Sequence, residues 1–440
     1  MLELDADVLV IGGGPAGSTI ATLLARRGWR VTLAEKERHP RFHIGESLLP
    51  MNVPIFERLG VLEQVRAIGV RKLGADFPAT NTRGYNVFSF SRTLEPCSDY
   101  AFQVRRAELD ELLFRQAAAS GVHTLEGTRI ERVEFDRDGA TAEWRATATE
   151  SGTEPGQRTL RAAYVVDASG RDTLLAAQLG LKRRHSRHQS AALFAHFSGV
   201  ARRPGEDAGN ISIYRFAHGW IWVIPLPGDC TSIGAVCWPE YLRQRTGSQQ
   251  EFLLRTLADV PALRERLRTA RVIGHLQATG NYSYLSRRIC GPRWVMVGDA
   301  YAFLDPIFST GVYLAMHGAE RAAEVVDGAL RAPRRERSLQ RHYAREVRRG
   351  LALLSWFICR FTSPVMASLF ADPRNLLRVE EAMISMLAGD VFRRNGVRWR
   401  LAIFRQIYRL ACLGQLPQAL ASRRLRRRQA QLSIPSGSGA

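Results

Sequence analysis

"DVLVIGGGPAGSTIATLLARRGWRVTLAEKE", residues 7–37, reads as a strand, a glycine loop, a helix and a second strand. Gly12-x-Gly14-x-x-Gly17 closes the apolar strand and opens the helix. Three glycines at that spacing permit a tight turn, let a pyrophosphate approach the backbone, and bring helix and strand close together. The helix start adds unpaired N–H groups and a partial positive charge. Glu35 ends the next strand at the offset from which a carboxylate grips a ribose hydroxyl. A βαβ start of this kind predicts an α/β chain with a Rossmann-like dinucleotide-binding domain.

Outward from this start, 440 residues exceed what one compact core usually supports, so more than one lobe is expected. Residues 105–121 read as a helix with Leu109, Leu112, Leu113 and Ala117 on one face and Gly121 as its stop. Strands alternate from about 122 to 170, and 188–288 is strand-rich with a helical interruption near 249–268. Beyond Arg335 the chain reads as mainly helical to about 430. The expected nucleotide-binding domain therefore comes in three parts, 1–80, 105–187 and 289–330. A mixed β-sheet substrate lobe is inserted as 81–104 and 188–288, and 331–440 forms a helical region with a basic tail.

Composition narrows the function classes. The net charge of +20 comes with 59 Arg and only three Lys, at 36, 72 and 182. Most of the Arg is scattered through helical stretches, and the one dense run lies at 422–429. That distribution argues against a nucleic-acid face; a milder consequence is long-range attraction toward an acidic partner such as a carrier protein. Cys97, Cys230, Cys237, Cys290, Cys359 and Cys412 show neither a CxxC pair nor metal-ligand spacing, which suits a reducing cytoplasm. The N-terminus runs straight into an apolar strand, so no signal peptide is expected. Arg360 and Pro364 interrupt the apolar stretch 351–370, which reads as buried helix and not as a transmembrane segment. The ten His form no ligand-like cluster, so no metal is expected, and only His43, beside a loop of interest, stands out.

Three further segments resemble the FAD-binding set of the para-hydroxybenzoate hydroxylase class. Arg105 precedes a helix carrying Asp110, "VVDASGRD" (165–172) ends one strand, and "VMVGDA" (295–300) ends another with Asp299. No second Gly-x-Gly-x-x-Gly provides an NAD(P)H lobe. The resemblance thus implies FAD, used as FADH2, with reduced flavin brought by a separate flavin reductase or formed by transient NAD(P)H binding.

Within that class, "FHIGESLLP" (42–50), "RKLGADF" (71–77), "GWIWVIP" (219–225) and "DPIFSTGV" (305–312) resemble the flavin-dependent halogenases. The likeness is to members acting on phenols or on carrier-tethered pyrroles, and "ADPRNLLRVEEAMISMLAGDVF" (371–392) extends it along the chain. Tryptophan-specific members carry a carboxylate where Phe308 stands here, which counts against free tryptophan as substrate. The resemblance implies chlorination through a flavin hydroperoxide and hypochlorous acid, in natural-product biosynthesis. It places Gly12, Gly13, Gly14, Ala16, Gly17 and Glu35 around FAD, joined by Gly45, Glu46 and Ser47 of the first motif and by Arg105, Asp299 and Val312. Lys72 takes the position of the family's essential lysine, which relays hypochlorous acid to the aromatic carbon. An amine of perturbed pKa suits that work better than a guanidinium does.

Chloride is expected at the backbone N–H groups of Thr310 and Gly311, where "FSTGV" opens a helix, although Ser309 and Thr310 also read as an ordinary helix cap. Glu46 reads as a flavin contact or as an orienting group for Lys72. Trp220 and Trp222, two apart on a strand, point to one face and are expected to form a barrier between flavin and substrate. An FAD-dependent aromatic hydroxylase or a geranylgeranyl-reductase-like enzyme shares the nucleotide loops, but the tryptophan pair with Lys72 speaks against both.

Overall fold

The computed structural model describes residues 4–78, 84–147, 158–184, 189–280, 283–371 and 375–432. The expected domain boundaries at 80/81 and 187/188, and the last eight residues of the basic tail, lie outside them.

Strand β1 (Ala6–Ile11), helix α1 (Pro15–Ala25) and strand β2 (Val31–Glu35) form the expected βαβ unit. β1 runs parallel to β2 on one side and to Arg158–Asp167 on the other. Val8, Leu9 and Val10 are fully buried, because helices cover both faces of this parallel sheet. The sheet continues through His123–Glu126 on one side and through Trp294–Met296 and then Cys290–Gly291 on the other, and Thr128–Phe135 and Ala140–Ala146 extend it antiparallel. Ile11, Glu35 and Asp167 all end at the same edge, which is where a sheet of this kind opens its ligand crevice.

The second sheet has seven strands in the order Arg271–Thr279, Ala191–Ser198, Cys230–Cys237, Gly219–Leu226, Ile211–Phe216, Gly74–Pro78 and Tyr85–Ser89. Gly74–Pro78 falls within the segment assigned above to the nucleotide domain. It pairs instead beside Ile211–Phe216 and turns back into Tyr85–Ser89, so the chain enters the substrate lobe before residue 80. Gly219–Leu226 is buried along its whole length for a positional reason. Trp220, Trp222 and Ile224 face one core, and Ile221 and Val223 face another, covered by the helix Gln249–Ala258.

Among the described residues five α-helices follow Arg335: Glu336–Ile358, Pro364–Ala371, Val379–Leu387, Gly396–Gly414 and Leu416–Gln431. The apolar stretch 351–370 breaks between the first two, and its Leu354, Phe357 and Phe361 pack into the core shared with the tryptophans. Among the described residues no helix is long and apolar enough to cross a membrane. All six cysteines are free.

The turn out of β1 leaves no room for side chains. Gly12 has φ +103°, and a Cβ there would lie 2.4 Å from the Ala168 carbonyl oxygen. A Cβ on Gly17 would lie 1.8 Å from the Gly12 carbonyl oxygen. Gly17→Ala is therefore expected to destabilise the cofactor-free protein by about 1–3 kcal/mol in denaturant unfolding. Gly311→Ala, where nothing lies within 4 Å of the added carbon, serves as the neutral control.

Candidate active site

A cavity of about 770 Å³ opens at the carboxyl ends of β1 and β2 and reaches the tryptophan strand. Gly12, Gly14 and Ala16 line one end, Glu35 the next, and Asp299, Gly311 and Val312 a third wall. Gly13 and Gly17 stand behind the lining, where the Gly13 N–H donates to Glu35 Oε2 at 2.7 Å and Gly17 lets α1 close on β1. Glu35 Oε2 also accepts from Arg41 at 3.3 Å, and Oε1 accepts from the Glu37 N–H at 3.0 Å. Oε1 thus keeps a lone pair for a ribose hydroxyl.

Arg105 is not on this wall, contrary to the expectation. As the extended residue before the helix Arg106–Ala119, it turns outward to the Pro227 carbonyl at 2.9 Å and to Glu108. Arg106, the first helical residue, lines the cavity in its place. It grips Asp110, one turn later, through Nε at 2.8 Å and a second nitrogen at 3.0 Å, and donates to the Ile44 carbonyl at 2.8 Å. Arg41 adds a third bond to Asp110 at 3.1 Å. Burial alone would raise the Asp110 carboxyl, yet Arg106 and Arg41 outweigh it and hold the group below its ordinary value. His43, on the same wall, is pushed down to about 3 by burial and by Arg106 and Arg41, so its ring is neutral at physiological pH.

The loop before Leu48 joins this cavity to Lys72. Glu46 is buried on the wall; its Oε1 lies 2.7 Å from His196 Nε2, and its Oε2 has no partner among the described residues. Ser47 also lines the wall, and its hydroxyl accepts from Lys72 Nζ at 3.0 Å. The Leu48 carbonyl accepts from the same Nζ at 3.0 Å. Lys72 ends the short strand Gly69–Lys72 and is only 1% exposed, one hydroxyl back from the cavity. Of the two roles open to Glu46, its placement matches the wall and not the lysine. Burial lowers the Lys72 amine to about 7, against a smaller opposing pull from Asp76. Asp76 is itself raised to about 6 by burial, despite Arg203 at 3.0 Å.

The segment "FSTGV" does open a helix, Gly311–Arg331, with Thr310 at its cap position. The Thr310 side chain makes no capping bond and lies buried behind the wall, whereas Ser309, Gly311 and Val312 are on it. The N–H groups of that first turn have no helical acceptor.

Trp220 and Trp222 both line the cavity, with ring centroids 5.8 Å apart. Each buried indole has an acceptor: Trp220 Nε1 donates to Asp305 Oδ1 at 3.1 Å and Trp222 Nε1 to Ser232 Oγ at 3.2 Å. Gly234 pairs directly opposite Trp222, and a Cβ there would lie 2.3 Å from the indole ring. Asp305 opens the segment 305–312 but carries no role in the reading of the sequence. An Asp before Pro that caps the turn Pro306–Phe308 was the available signal. Among the described residues no group of His, Cys, Asp or Glu is arranged to hold a metal ion.

These residues fit FAD on grounds of charge and hydrogen bonding. Two helix starts point unpaired N–H groups at one cavity, suited to anionic groups. Asp299 is raised to about 6 by burial, incompletely offset by Arg106 and Arg171, so its carboxyl calls for hydroxyl donors. Among the described residues Glu46 Oε2 has no partner, and Glu46 lines the same cavity.

Lys72 makes stability depend on pH with a definite sign. Its folded value, about 7, lies below the ordinary 10.5. Below pH 7 the amine is charged in both states and the folded chain bears the whole penalty, which fades as pH rises toward 10.5. Lys72→Met is therefore expected to stabilise most below pH 7, its advantage shrinking by about 1.4 kcal/mol per pH unit between those limits. Denaturant unfolding at pH 6 and pH 9.5 measures the difference.

Residues 5–352 match the family described as FAD binding domain. A tryptophan 2-halogenase of Chondromyces crocatus is 38% identical over 75% of this chain, which spans 62% of that relative's length. The flavin-dependent halogenase gsfI of Penicillium aethiopicum is 32% identical over 88% of this chain and 74% of its own. A 1H-pyrrole-2-carbonyl-(peptidyl-carrier protein) chlorinase of Pseudomonas fluorescens is 29% identical over 89% of this chain and 91% of its own. Among solved structures, a flavoprotein/dehydrogenase from Cytophaga hutchinsonii superposes with a TM-score of 0.84 at 26% identity, covering 93% of this chain and 99% of its own. The myxobacterial chondrochloren halogenase CndH superposes at 0.74 and 30%, covering 93% and 97%. A nucleotide crevice walled by paired indoles, in a chain that these relatives match over most of its length, belongs to the flavin-dependent halogenase family.

Proposed function

We propose that the chain halogenates an electron-rich aromatic, a phenol or a pyrrole, free or tethered to an acidic carrier protein, and that chloride is its halide. The observation that carries this reading is Lys72: a buried amine with a value near 7, hydrogen-bonded to the Ser47 hydroxyl on the cavity lining. When bound in reduced form, FAD supplies the reducing equivalents with which O2 converts halide to hypohalous acid. Around it the chain's own groups divide the work. The N–H groups of Thr310, at the cap, and of Gly311, the first helical residue, hold the halide. Ser47 and the Leu48 carbonyl fix Lys72 Nζ, and a value near 7 leaves a large neutral fraction whose lone pair receives the electrophile. Trp220 and Trp222, held by Asp305 and Ser232, keep a bulky substrate away from the flavin. Reduced flavin comes from a separate reductase, and the six free thiols suit a cytoplasmic setting.

The relatives' names support halogenation over hydroxylation or prenyl reduction, and one of them names a chlorinase. Another is named for tryptophan, which weakens the argument drawn from Phe308 and brings tryptophan into the substrate panel. Incubated with FAD, a flavin reductase, NADH, O2 and chloride, the protein is expected to give monochlorinated product from a phenol or a pyrrolyl-carrier conjugate. Parallel bromide and tryptophan arms, read by mass spectrometry, fix halide and substrate class; a hydroxylated product overturns the proposal. Lys72→Ala is expected to cut halogenation at least about 100-fold while FAD binding persists. Trp222→Ala is expected to add hydroxylated product or peroxide release, and purely chlorinated output would remove the barrier role.

A further inference from the structure

A second cavity, of about 460 Å³, lies among the helices Glu336–Ile358, Gly396–Gly414 and Leu416–Gln431. Trp356 and Tyr408 form its aromatic wall, with ring centroids 5.3 Å apart. The Arg360 guanidinium carbon sits 4.6 Å from the Trp356 centroid, and that of Arg405 sits 5.1 Å from it. Arg409 and Arg423 line the same cavity. Among the described residues none of these four guanidinium groups has a carboxylate partner, and Arg405 Nε is buried without any hydrogen bond. Burial, together with Arg426 and Arg423, lowers Arg360; burial and Arg409 lower Arg405.

The surrounding chain offers no compensation. Residues 396–431 contain nine Arg and no Asp or Glu. The rim is apolar all the same: Leu413 is 68% exposed, Leu416 48% and Leu420 42%. The last helix is anchored, since Glu240 meets Arg428 at 3.0 Å and Gln429 at 2.6 Å. The cavity is therefore a fixed part of the fold. A second copy of this face would bring like charges together, so a symmetric pairing is disfavoured.

We propose that this cavity binds an anionic amphiphile, its phosphate or carboxylate head held by Arg360, Arg409 and Arg423 and its alkyl chain laid along Trp356 and the leucine rim. Arg360 donates to the Trp356 carbonyl and Arg409 to Gln406, each at 3.0 Å, but with no carboxylate beside them the guanidinium groups keep free donors and an uncompensated charge that match a planar or tetrahedral oxyanion. The volume exceeds what an inorganic anion fills and lies within the range of small-ligand sites. Exposed leucines beside Arg are the arrangement that meets the headgroup boundary of a bilayer, so such a ligand has two sources: a membrane lipid or a soluble acyl phosphate or fatty acid.

The test is calorimetric titration of the full-length protein with monomeric dodecyl phosphate, beside dodecyl maltoside and inorganic phosphate. Dodecyl phosphate is expected to bind at least tenfold more tightly than either control. Arg409→Glu/Arg423→Glu, at exposed positions, is expected to weaken it at least tenfold with FAD binding unchanged; Leu413→Ser/Leu416→Ser is expected to weaken it by a similar factor. Flotation with phosphatidylglycerol vesicles, but not with phosphatidylcholine vesicles, assigns the membrane as source; dodecyl phosphate binding without flotation assigns a soluble amphiphile. Equal binding of inorganic phosphate, binding unaffected by the Arg substitutions, or no dodecyl phosphate binding beside Arg-dependent capture of an acidic carrier protein would each overturn the proposal.

Discussion

The site depends on how closely α1 approaches the end of β1. With no side chain on Gly17, the helix start reaches the Gly12 carbonyl, and the same approach aligns Gly13 to donate its N–H to Glu35. One backbone crossing thus fixes three things: the position of the helix N-terminus, the orientation of the carboxylate at the end of β2, and the width of the crevice between them. The loop is closed from outside as well, by the Ala168 backbone against Gly12 and the Phe114 ring against Gly13, so a local motif specifies the site together with the strand and helix that pack on it.

That locality also separates what was legible in the sequence from what was not. The βαβ start, the second sheet with its tryptophan strand, and the helical end all carry periodic or short-range signals, and each was readable. Arg105 was misplaced by one residue, because adjacent residues at a helix start point in opposite senses and only the Arg106–Asp110 spacing tells them apart. Gly74–Pro78 was misassigned because its partner strand lies far along the chain, at Ile211–Phe216. Lys72 was singled out by resemblance and by the scarcity of Lys. Its burial, and the Ser47 hydroxyl between it and the cavity, arise from tertiary packing and left no mark in local spacing.

The tryptophan strand shows how two polar anchors turn a hydrophobic signature into a fixed surface. Asp305 accepts the Trp220 N–H and also the Ile307 N–H, so one carboxylate ties the strand to the turn leading into the helix Gly311–Arg331. Ser232 holds Trp222 from the neighbouring strand. Both indoles can then be buried without an unsatisfied donor. The cavity walls on either side, helix start and strand, are mechanically joined through Asp305.

The absence of a side chain at Gly234 means that the volume of the Trp222 ring is shared between two strands. Residues 222, 234 and 194 therefore share one fixed volume. A smaller ring would leave an opening toward Phe194, but a methyl added at Gly234 would still lie 2.6 Å from the Phe194 Cβ, so that residue must give way as well. Reshaping the room offered to a substrate on this wall therefore takes coordinated change at Trp222, Gly234 and Phe194, with bulk passing between neighbouring strands while the sheet itself stays in register.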